Sequence, residues 1–283
     1  MADSARIWRH RTGEIVLDRA RVMGVLNVTP DSFSDAGRYF DSKAALRRGV
    51  EMMDQGADLL DIGGESTRPG SDPVTAEEEW RRIGPVIDGL SKKADVPLSI
   101  DTMKPEVARR AIEAGASIVN DVSGMRDPAM VRLVAERHTG AVVMHMRGNP
   151  KAMQEHPTYA DVVEEVRSFL ASRIRSLMTA GVAADAIAID PGVGFGKTPE
   201  HNLALLRHLD RLVAIGHPVV VGVSRKSFIE RLAGGGTGDR LPGSIAAATF
   251  AVGKGVQVVR VHDVVETVRA MRVADALARG EKL

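Results

Sequence analysis

Short apolar runs alternate with longer amphipathic segments along almost the whole chain. The runs are rich in Val and Ile and are apolar at successive positions, which is typical of parallel strands covered on both faces. The segments between them, such as KAALRRGVEMMDQGA and KPEVARRAIEAGA, are typical of helices, and several end in Gly or Gly-Ala, as helix C-termini often do. The pattern predicts buried strands at residues 22–28, 58–63, 97–102, 117–122, 141–146, 186–190, 218–223 and 256–261.

The residues at the strand ends distinguish a closed barrel from an open sheet. In an open doubly wound sheet, ligand-facing residues gather at one switch point, whereas in a barrel the C-terminal ends of all strands meet at one mouth. Here every predicted strand ends at or beside a polar residue or glycine: Asn27, Gly63, Asp101, Asn120, His145, Asp190, Gly222 and His262. This distribution favours a (β/α)8 TIM barrel, which typically needs about 250 residues. The 283 residues then form a single domain, 1–283.

Two segments lie outside the strand–helix repeat. Before the first barrel strand, two short β-like runs flank Thr12-Gly13, which is a turn sequence. They predict a β-hairpin that closes the bottom of the barrel. The triplet Gly234–Gly236 predicts a flexible loop rather than a domain boundary.

Composition narrows the class of protein. With 38 basic and 37 acidic side chains, the net charge of +1 favours neither nucleic acid nor an anionic membrane as a partner, so any anion site must be built locally. The absence of cysteine excludes disulfides, zinc–thiolate sites and thiol nucleophiles. The N-terminus is polar, and no apolar run approaches the ~18 residues of a membrane span. We therefore expect a soluble, cytoplasmic protein.

The stretch DPGVGFGKT looks like a phosphate-binding P-loop but does not satisfy its spacing. A P-loop has Gly, four residues and then Gly-Lys-Ser/Thr, and counting back from Gly196 places Pro191 where the first Gly belongs. Proline has no N–H to donate to a phosphate. A dinucleotide fingerprint fails as well, because Gly192 and Gly194 match its first two glycines but Lys197 occupies the third position.

Three polar residues directly follow apolar strands and are expected at the barrel mouth. Asp101 and Asp190 offer only acceptors, whereas the amide of Asn120 both donates and accepts. Two carboxylates and one amide suit a flat heterocycle that carries N–H and NH2 groups beside ring acceptors. The alternative is that these side chains cap the helices that follow, as Asp101 before TMKPEVARR would do.

A second group at the mouth is cationic. Lys226 and Ser227 follow the seventh strand, where a helix would begin. Arg260 and His262 are two residues apart at the end of the eighth strand, so both side chains point the same way. Barrels often bind phosphate in the loops after these two strands. A structural role for His262 is the alternative, but its pairing with Arg260 favours an anion site.

Two long loops follow the first two strands. The stretches NVTPDSFSDAGRYFD and GGESTRPGSDPV are too polar for the core and long for strand–helix connections. Such loops often act as lids over a barrel. Arg68 could then reach a phosphate, and Asn27 could ligate Mg²⁺, whose sites use oxygen ligands. Plain surface loops are the alternative.

Seven segments together resemble those of a known family, bacterial dihydropteroate synthase. They are MGVLNVTPDSFSD, DIGGESTRPG, SIDTMKPEVA, IVNDVSG, DPGVGFGKT, GVSRKSFI and VVRVHDV, in the family's order and spacing from Val22 to Leu277. The resemblance implies a transferase of folate biosynthesis that joins p-aminobenzoate to 6-hydroxymethyl-7,8-dihydropterin pyrophosphate and releases pyrophosphate. It also implies a TIM barrel, a homodimer, Mg²⁺ as cofactor and sulfonamides as competitors of p-aminobenzoate.

The resemblance assigns roles to residues at matching positions. Implied pterin-binding residues are Asp101, Asn120, Met144, Asp190, Phe195, Gly222, Lys226 and Arg260. Implied pyrophosphate-binding residues are Asn27, Thr67, Arg68, Arg260 and His262. Residues implied to flank p-aminobenzoate are Phe33, Thr67, Pro69, Phe195 and Ser227. Asn27 and Asp35 would bind the metal, and Asp101, Lys226 and Arg260 would be catalytic.

Three other functions are compatible with parts of this pattern. A pterin-binding methyltransferase would share the Asp/Asn pocket but needs no grip on pyrophosphate. A non-catalytic paralogue would be expected to lack loop or anion-binding residues, and none is missing. A barrel enzyme acting on a phosphorylated sugar would not need all seven of the segments named above. We therefore expect a synthase that acts by dissociative substitution, with Asp101 stabilising a positive pterin methylene.

Overall fold

The computed structural model describes residues 6–29, 42–67, 70–149, 151, 153–234 and 240–279, and these contain two antiparallel strands followed by eight parallel ones. Each parallel strand overlaps a segment that the apolar pattern predicts. The strands are β1 (Ile7–His10), β2 (Gly13–Val16), β3 (Arg21–Asn27), β4 (Leu59–Gly63), β5 (Leu98–Asp101), β6 (Ile118–Asp121), β7 (Gly140–Met144), β8 (Ile187–Asp190), β9 (Val220–Gly222) and β10 (Val258–Val261).

The parallel strands close on themselves. Their order is β8-β7-β6-β5-β4-β3-β10-β9, with every neighbouring pair parallel. A parallel bridge between Ile189 and Val219 joins the two ends of this order, supported by a hydrogen bond of 2.9 Å from Ile189 N to Pro218 O. The predicted TIM barrel is confirmed, and the open doubly wound sheet is wrong.

Helices lie between the strands along the chain. Their bounds are α1 (Ser42–Asp54), α2 (Ala76–Ser91), α3 (Pro105–Glu113), α4 (Pro128–Arg137), α5 (Val162–Thr179), α6 (Pro199–Arg207), α7 (Leu209–Val213), α8 (Ser227–Ala233), α9 (Leu241–Gly253) and α10 (Val264–Arg279). Local chemistry sets several starts: the Thr75 hydroxyl accepts from Glu78 N at 3.2 Å, and Asp161 caps α5. Within the described ranges, no helix has the length and apolar character needed to cross a bilayer.

The main core fills the space between the sheet and the helices. Strand side chains that face outward, such as Leu26, Ile62 and Ile100, pack against helical residues such as Ile83 and Val107, and all are almost completely buried. Burial on both faces explains why the strands are apolar at successive positions rather than alternating.

The N-terminal hairpin closes the bottom of the barrel, as predicted. Trp8 of β1 is completely buried and its Nε1 donates to Ala186 O at 3.0 Å, just before β8 begins. Trp8 packs in one cluster with side chains from the lower ends of the strands and from the hairpin: Ile15, Leu17, Met23, Leu59, Ile118, Val142, Ala188, Val220 and Val258. The bottom of the barrel interior is therefore apolar and filled, so the site lies at the other end.

Candidate active site

A cavity of about 900 Å³ opens at the C-terminal ends of the barrel strands. The predicted site residues that line it are Asn27, Thr67, Asp101, Phe195, Gly222, Lys226, Ser227, Arg260 and His262. The other three described ones lie beside these. Asn120 pairs with Asp101 in the sheet, Met144 packs in one cluster with Phe195, and Asp190 pairs with Met144. Phe33, Asp35, Arg68 and Pro69 lie outside the described residues.

Helix capping does not explain the polar strand ends. Helix α3 begins after Lys104 without a side-chain cap, α4 is capped by Asp127, and α6 is capped by Thr198. Asp190 has a local contact instead, since its Oδ1 accepts from Gly192 N at 2.7 Å. The capping alternative is therefore wrong for all three residues.

Asp101 presents a buried acceptor at the mouth. Its Oδ2 accepts from Arg260 Nη2 at 2.7 Å, whereas its Oδ1 is buried and has no hydrogen-bond partner among the described residues. Burial raises the pKa of Asp101 to about 7; the positive charge of Arg260 opposes this rise, and the negative charges of Asp61 and Glu79 add to it. The free oxygen and the raised pKa indicate a carboxylate ready for a ligand that donates a proton or carries positive charge.

Arg260 lies between two carboxylates. Its Nε donates to Asp61 Oδ2 at 2.6 Å, in addition to the bond from Nη2 to Asp101. Burial alone would lower the pKa of Arg260, but the charges of Asp61 and Asp101 more than reverse this effect. Asp61 also accepts from Ser99 Oγ at 2.7 Å and from Asn120 Nδ2 at 2.9 Å.

Sequence analysis missed Asp61 and Ser99. A signal was present, because Asp61 is a charged residue inside an otherwise apolar strand. It also precedes Gly63 by two positions, so the period-two rule places both on the barrel interior.

Lys226 lies over an aromatic ring at the cavity wall. Its Nζ is 4.3 Å from the centroid of the Phe195 ring. Burial and the charge of Arg260 lower the pKa of Lys226 to about 8, against the opposing effect of Asp190 and Asp101. Lys226 directly precedes α8, as predicted. The ammonium group of Lys226 is therefore mostly protonated at neutral pH and loses its proton slightly above it.

The stretch DPGVGFGKT forms a tight loop around the buried ammonium group of Lys197. That group donates to Gly192 O at 2.9 Å and to Phe195 O at 3.0 Å, and it also contacts His145 Nδ1 at 3.0 Å. Gly192, with φ +66°, has no room for a Cβ, which would lie 1.9 Å from His145 O. Gly196, with φ +62°, also has no room for a Cβ, which would lie 2.6 Å from the carbonyl oxygen of Arg147. The structure therefore requires these glycines for packing of the loop against the chain after β7.

His262 is held at the cavity by Ser224. Ser224 Oγ accepts from His262 N at 3.2 Å and lies 3.1 Å from His262 Nδ1. The hydroxyl thus engages Nδ1, and Nε2 is the ring nitrogen that can face a ligand. Burial and the charges of Arg260 and Arg225 lower the pKa of His262 to about 3. In the free site His262 thus contributes a hydrogen bond rather than a positive charge.

The loop after β4 is held to the barrel by a half-buried lysine. Lys104 Nζ donates to Glu65 Oε2 and to Glu79 Oε2, both at 2.7 Å. Arg82 Nη1 adds a bond of 2.9 Å to Gly64 O. These contacts hold the start of the loop, so Thr67 is brought to the cavity edge.

Comparison with known proteins places the chain in a family. The profile of the pterin binding enzymes matches residues 23–262. Dihydropteroate synthase of Escherichia coli K12 is 44% identical over 260 residues, which is 92% of each chain. That of Neisseria meningitidis serogroup B is 45% identical over 278 residues, or 96% of this chain and 97% of the relative.

Solved structures of the same enzyme superpose on this fold. Dihydropteroate synthase of Xanthomonas albilineans with 4-aminobenzoic acid has a TM-score of 0.92 at 45% identity and covers 98% of this chain and 99% of its own. Its complex with 7,8-dihydropteroate has a TM-score of 0.86 at 45% identity, over 94% and 96% of the two chains. The Yersinia pestis enzyme with a sulfonamide drug has a TM-score of 0.91 at 41% identity, over 96% and 98%. The chain therefore belongs to the dihydropteroate synthases of the pterin binding enzyme family.

Proposed function

We propose that the chain condenses p-aminobenzoate with 6-hydroxymethyl-7,8-dihydropterin pyrophosphate to give 7,8-dihydropteroate and pyrophosphate. One observation carries this proposal: the cavity is lined by the acceptor Asp101 and the cations Lys226 and Arg260, and the acceptors Asn120 and Asp190 lie directly beside them. The names of relatives at 44% and 45% identity support a synthase and disfavour the non-catalytic paralogue.

The acceptors suit the donor-rich edge of a pterin. Asp101 Oδ1 has no partner within the described part of the chain, and Asp190 Oδ1 already accepts from Gly192 N, which leaves its other oxygen for the ligand. Gly222 has only Arg260 Cβ, 4.0 Å away, near the position of a Cβ, so the flat ring has space beside the guanidinium group. Met144 and Phe195, which pack in one cluster, would supply the apolar wall.

The residues proposed to bind pyrophosphate lie at the ends of several strands. Arg260 would supply positive charge, the imidazole of His262 would supply a hydrogen bond, and Thr67 lies at the edge of the same cavity. Arg68 would add a second guanidinium. This anion-binding group is what a pterin-binding methyltransferase would not need.

Asn27 suits a magnesium ligand. It lies at the end of β3 on the cavity wall, and no hydrogen bond to its amide is found within the described ranges. Mg²⁺ prefers oxygen ligands and is commonly held by one or two protein groups together with substrate phosphates. Asn27 would hold the ion with Asp35, and the ion would neutralise charge on the leaving pyrophosphate.

The chemistry needs no nucleophilic side chain. The bond between the pterin methylene carbon and the pyrophosphate oxygen breaks, and its electron pair leaves with the pyrophosphate held by Arg260 and His262. The methylene carbon becomes positive, with its charge delocalised into the ring, and the ionised carboxylate of Asp101 stabilises it. The amine nitrogen of p-aminobenzoate then forms the new C–N bond and loses one proton. Positioning and electrostatics supply the rate.

The acceptor substrate would lie against Phe195 and Ser227. Both line the cavity together with Thr67, and Phe33 and Pro69 are assigned beside them from the resemblance. Related enzymes crystallised with 4-aminobenzoic acid and with a sulfonamide drug support both ligands for this chain. We expect sulfonamides to compete with p-aminobenzoate.

We also propose a homodimer. Helices α9 and α10 pack together and expose apolar side chains: Phe250 is 47%, Val273 61% and Leu277 80% exposed. Such exposure on adjacent helices supports an interface, and sedimentation of the purified protein at several concentrations tests it. The cytoplasmic location stays a prediction of the sequence.

The assay that tests the reaction is release of pyrophosphate from dihydropterin pyrophosphate with Mg²⁺, with and without p-aminobenzoate. We expect release that depends on p-aminobenzoate and matches the dihydropteroate formed. Tight pterin binding by calorimetry without any release would contradict the proposal and favour a non-catalytic pterin-binding protein.

A further inference from the structure

A charged side chain lies inside the barrel, outside the lining of the cavity. Asp61 of β4 has no solvent exposure and lies between Leu60 and Ile62, which face the helices. A buried carboxylate is costly unless it is paired and hydrogen-bonded. An apolar residue at this point would continue the core, so the carboxylate calls for a functional explanation.

The contacts of Asp61 use both of its oxygens. Oδ1 accepts from Ser99 Oγ at 2.7 Å. Oδ2 accepts from Asn120 Nδ2 at 2.9 Å and from Arg260 Nε at 2.6 Å. The donors come from three different strands, and two of them belong to residues assigned to the pterin. Asp61 is thus the common acceptor beneath two ligand-binding side chains.

The first consequence concerns the orientation of the Asn120 amide. An amide can turn by 180° and exchange its oxygen with its NH2 group. Because Asp61 is an acceptor only, the NH2 group of Asn120 must face it, and the amide oxygen must face away. The pterin therefore meets an acceptor at this point, which matches the donor-rich edge that Asp101 and Asp190 also address.

The second consequence concerns Arg260. Its guanidinium group is bound at Nε by Asp61 and at Nη2 by Asp101, so two bonds on different atoms fix its plane. Without Asp61 only the bond to Asp101 would remain, and rotation about it would carry the guanidinium away from the position that leaves space above Gly222. The position of Arg260 thus depends on a residue that does not line the cavity.

We propose that Asp61 is a positioning residue of the pterin site, which sets the amide orientation of Asn120 and the plane of Arg260 through direct hydrogen bonds. The proposal rests on the proposed function, because it uses the pterin roles of those two residues. It predicts a selective effect: the pterin subsite depends on Asp61, and the p-aminobenzoate subsite does not.

The test compares Asp61→Leu with Ser99→Ala in the full chain. Asp61→Leu keeps the approximate size of the side chain but removes both acceptor oxygens, so Asn120 and Arg260 both lose this partner. Ser99→Ala removes one bond to the same carboxylate and leaves its bonds to Asn120 and Arg260 intact. We expect Asp61→Leu to weaken binding of dihydropterin pyrophosphate, measured by calorimetry, and to raise the KM of this substrate by at least tenfold. We expect Asp61→Leu to change the KM of p-aminobenzoate less than threefold, and Ser99→Ala to change the KM of neither substrate by more than threefold.

A second pair of variants applies if Asp61→Leu does not fold. Asn120→Asp places a carboxylate against Asp61 and is expected to abolish pterin binding. In the double variant, Asp61→Asn with Asn120→Asp, the new amide can donate to the new carboxylate, so an acceptor again faces the cavity, while Arg260 keeps only its bond to Asp101. We expect the double variant to bind the pterin at least tenfold more tightly than Asn120→Asp alone.

The outcomes separate this proposal from the proposed function. Wild-type protein that binds dihydropterin pyrophosphate but forms no dihydropteroate contradicts the synthase reaction. An active wild type with an equal rise of both KM values in Asp61→Leu, or with no rise, contradicts only the role of Asp61. A double variant no better than Asn120→Asp alone contradicts it as well.

Discussion

The two ends of the barrel are built on the same strands but differ in the side chains that point inward. At the bottom, Trp8 and the residues around Met23 form a filled apolar layer. At the mouth, Asp101 and Lys226 are buried enough for their pKa values to move to about 7 and about 8. Both pKa shifts show that burial disfavours the charged form of these side chains. Charged groups at the mouth therefore reduce the stability of the fold, and the packed apolar layer at the bottom offsets this cost. Substitutions at the bottom should therefore lower stability and leave activity nearly unchanged, whereas substitutions at the mouth should lower activity with little loss of stability.

The largest expected effect is on stability, from Trp8→Ala at the bottom. Loss of a buried Trp commonly costs ~3–5 kcal/mol, and this one also donates to Ala186 O. We expect a much lower melting temperature but a nearly unchanged kcat at a temperature where the variant is folded. Trp8→Phe, which keeps most of the apolar volume, is the matched control and should lose less. A fall in kcat as large as that of a mouth variant would show that the two ends are not independent.

Asp101→Asn should have the next largest effect, on activity rather than on stability. We expect kcat to fall by ~10²–10³, as on removal of a transition-state stabilising group. The folded-state pKa of Asp101 lies above its unfolded value, so stability from this group falls as pH rises from about 4 to about 7. Removing the charge should leave the melting temperature at pH 8 equal or higher. Unchanged turnover would contradict the role of the carboxylate.

Two glycines at the mouth offer a sharper comparison within one site. Gly222→Ala should fold normally, because the new Cβ meets only Arg260 Cβ at 4.0 Å, yet it enters the pterin space. We expect the KM of the pterin substrate to rise by about 5- to 150-fold, from ~1–3 kcal/mol of overpacking. Gly192→Ala should instead lower the melting temperature, because its Cβ would lie 1.9 Å from His145 O. Equal loss of stability in both variants would contradict this distinction.

The smallest predicted effect is the pH dependence of kcat/KM for the pterin substrate, which should fall about tenfold for each pH unit beyond either limit of the optimum. Below about pH 7 Asp101 becomes protonated and cannot stabilise a positive methylene, and above about pH 8 Lys226 loses its charge. We expect a bell-shaped profile of kcat/KM for the pterin substrate. The acid limb should disappear in Asp101→Asn, and its persistence there would assign that limb to another group. His262, with a pKa of about 3, should contribute no limb.

Much of the fold follows from local pattern. All eight parallel strands and the hairpin were predictable because burial on both faces leaves a continuous apolar run and because Gly13 marks the turn. The clustering of Asp101, Asn120 and Arg260 was also predictable, since parallel strands bring their C-terminal ends together. The family resemblance then supplied roles that pattern alone left open.

Other features needed the folded chain. Asp61 is 199 positions from Arg260, and no spacing rule joins them; only barrel closure brings β4 and β10 to opposite sides of β3. Lys197 looked like part of a failed nucleotide motif, but its ammonium group holds the loop by contacts to backbone carbonyl groups. The neutral state of His262 depends on burial and on Arg225 and Arg260, which sequence cannot quantify.

The sequence by itself determined the strands, the barrel, the hairpin and the residue types at the mouth, because hydrophobic periodicity and turn chemistry act locally. Tertiary structure alone decided which acceptor each donor meets, which way the amide of Asn120 points, and how far each pKa moves. Hydrogen-bond geometry and desolvation depend on atoms brought together from distant parts of the chain. The chemistry of the site was therefore present in the sequence, whereas its orientation and electrostatics arose only when the barrel closed.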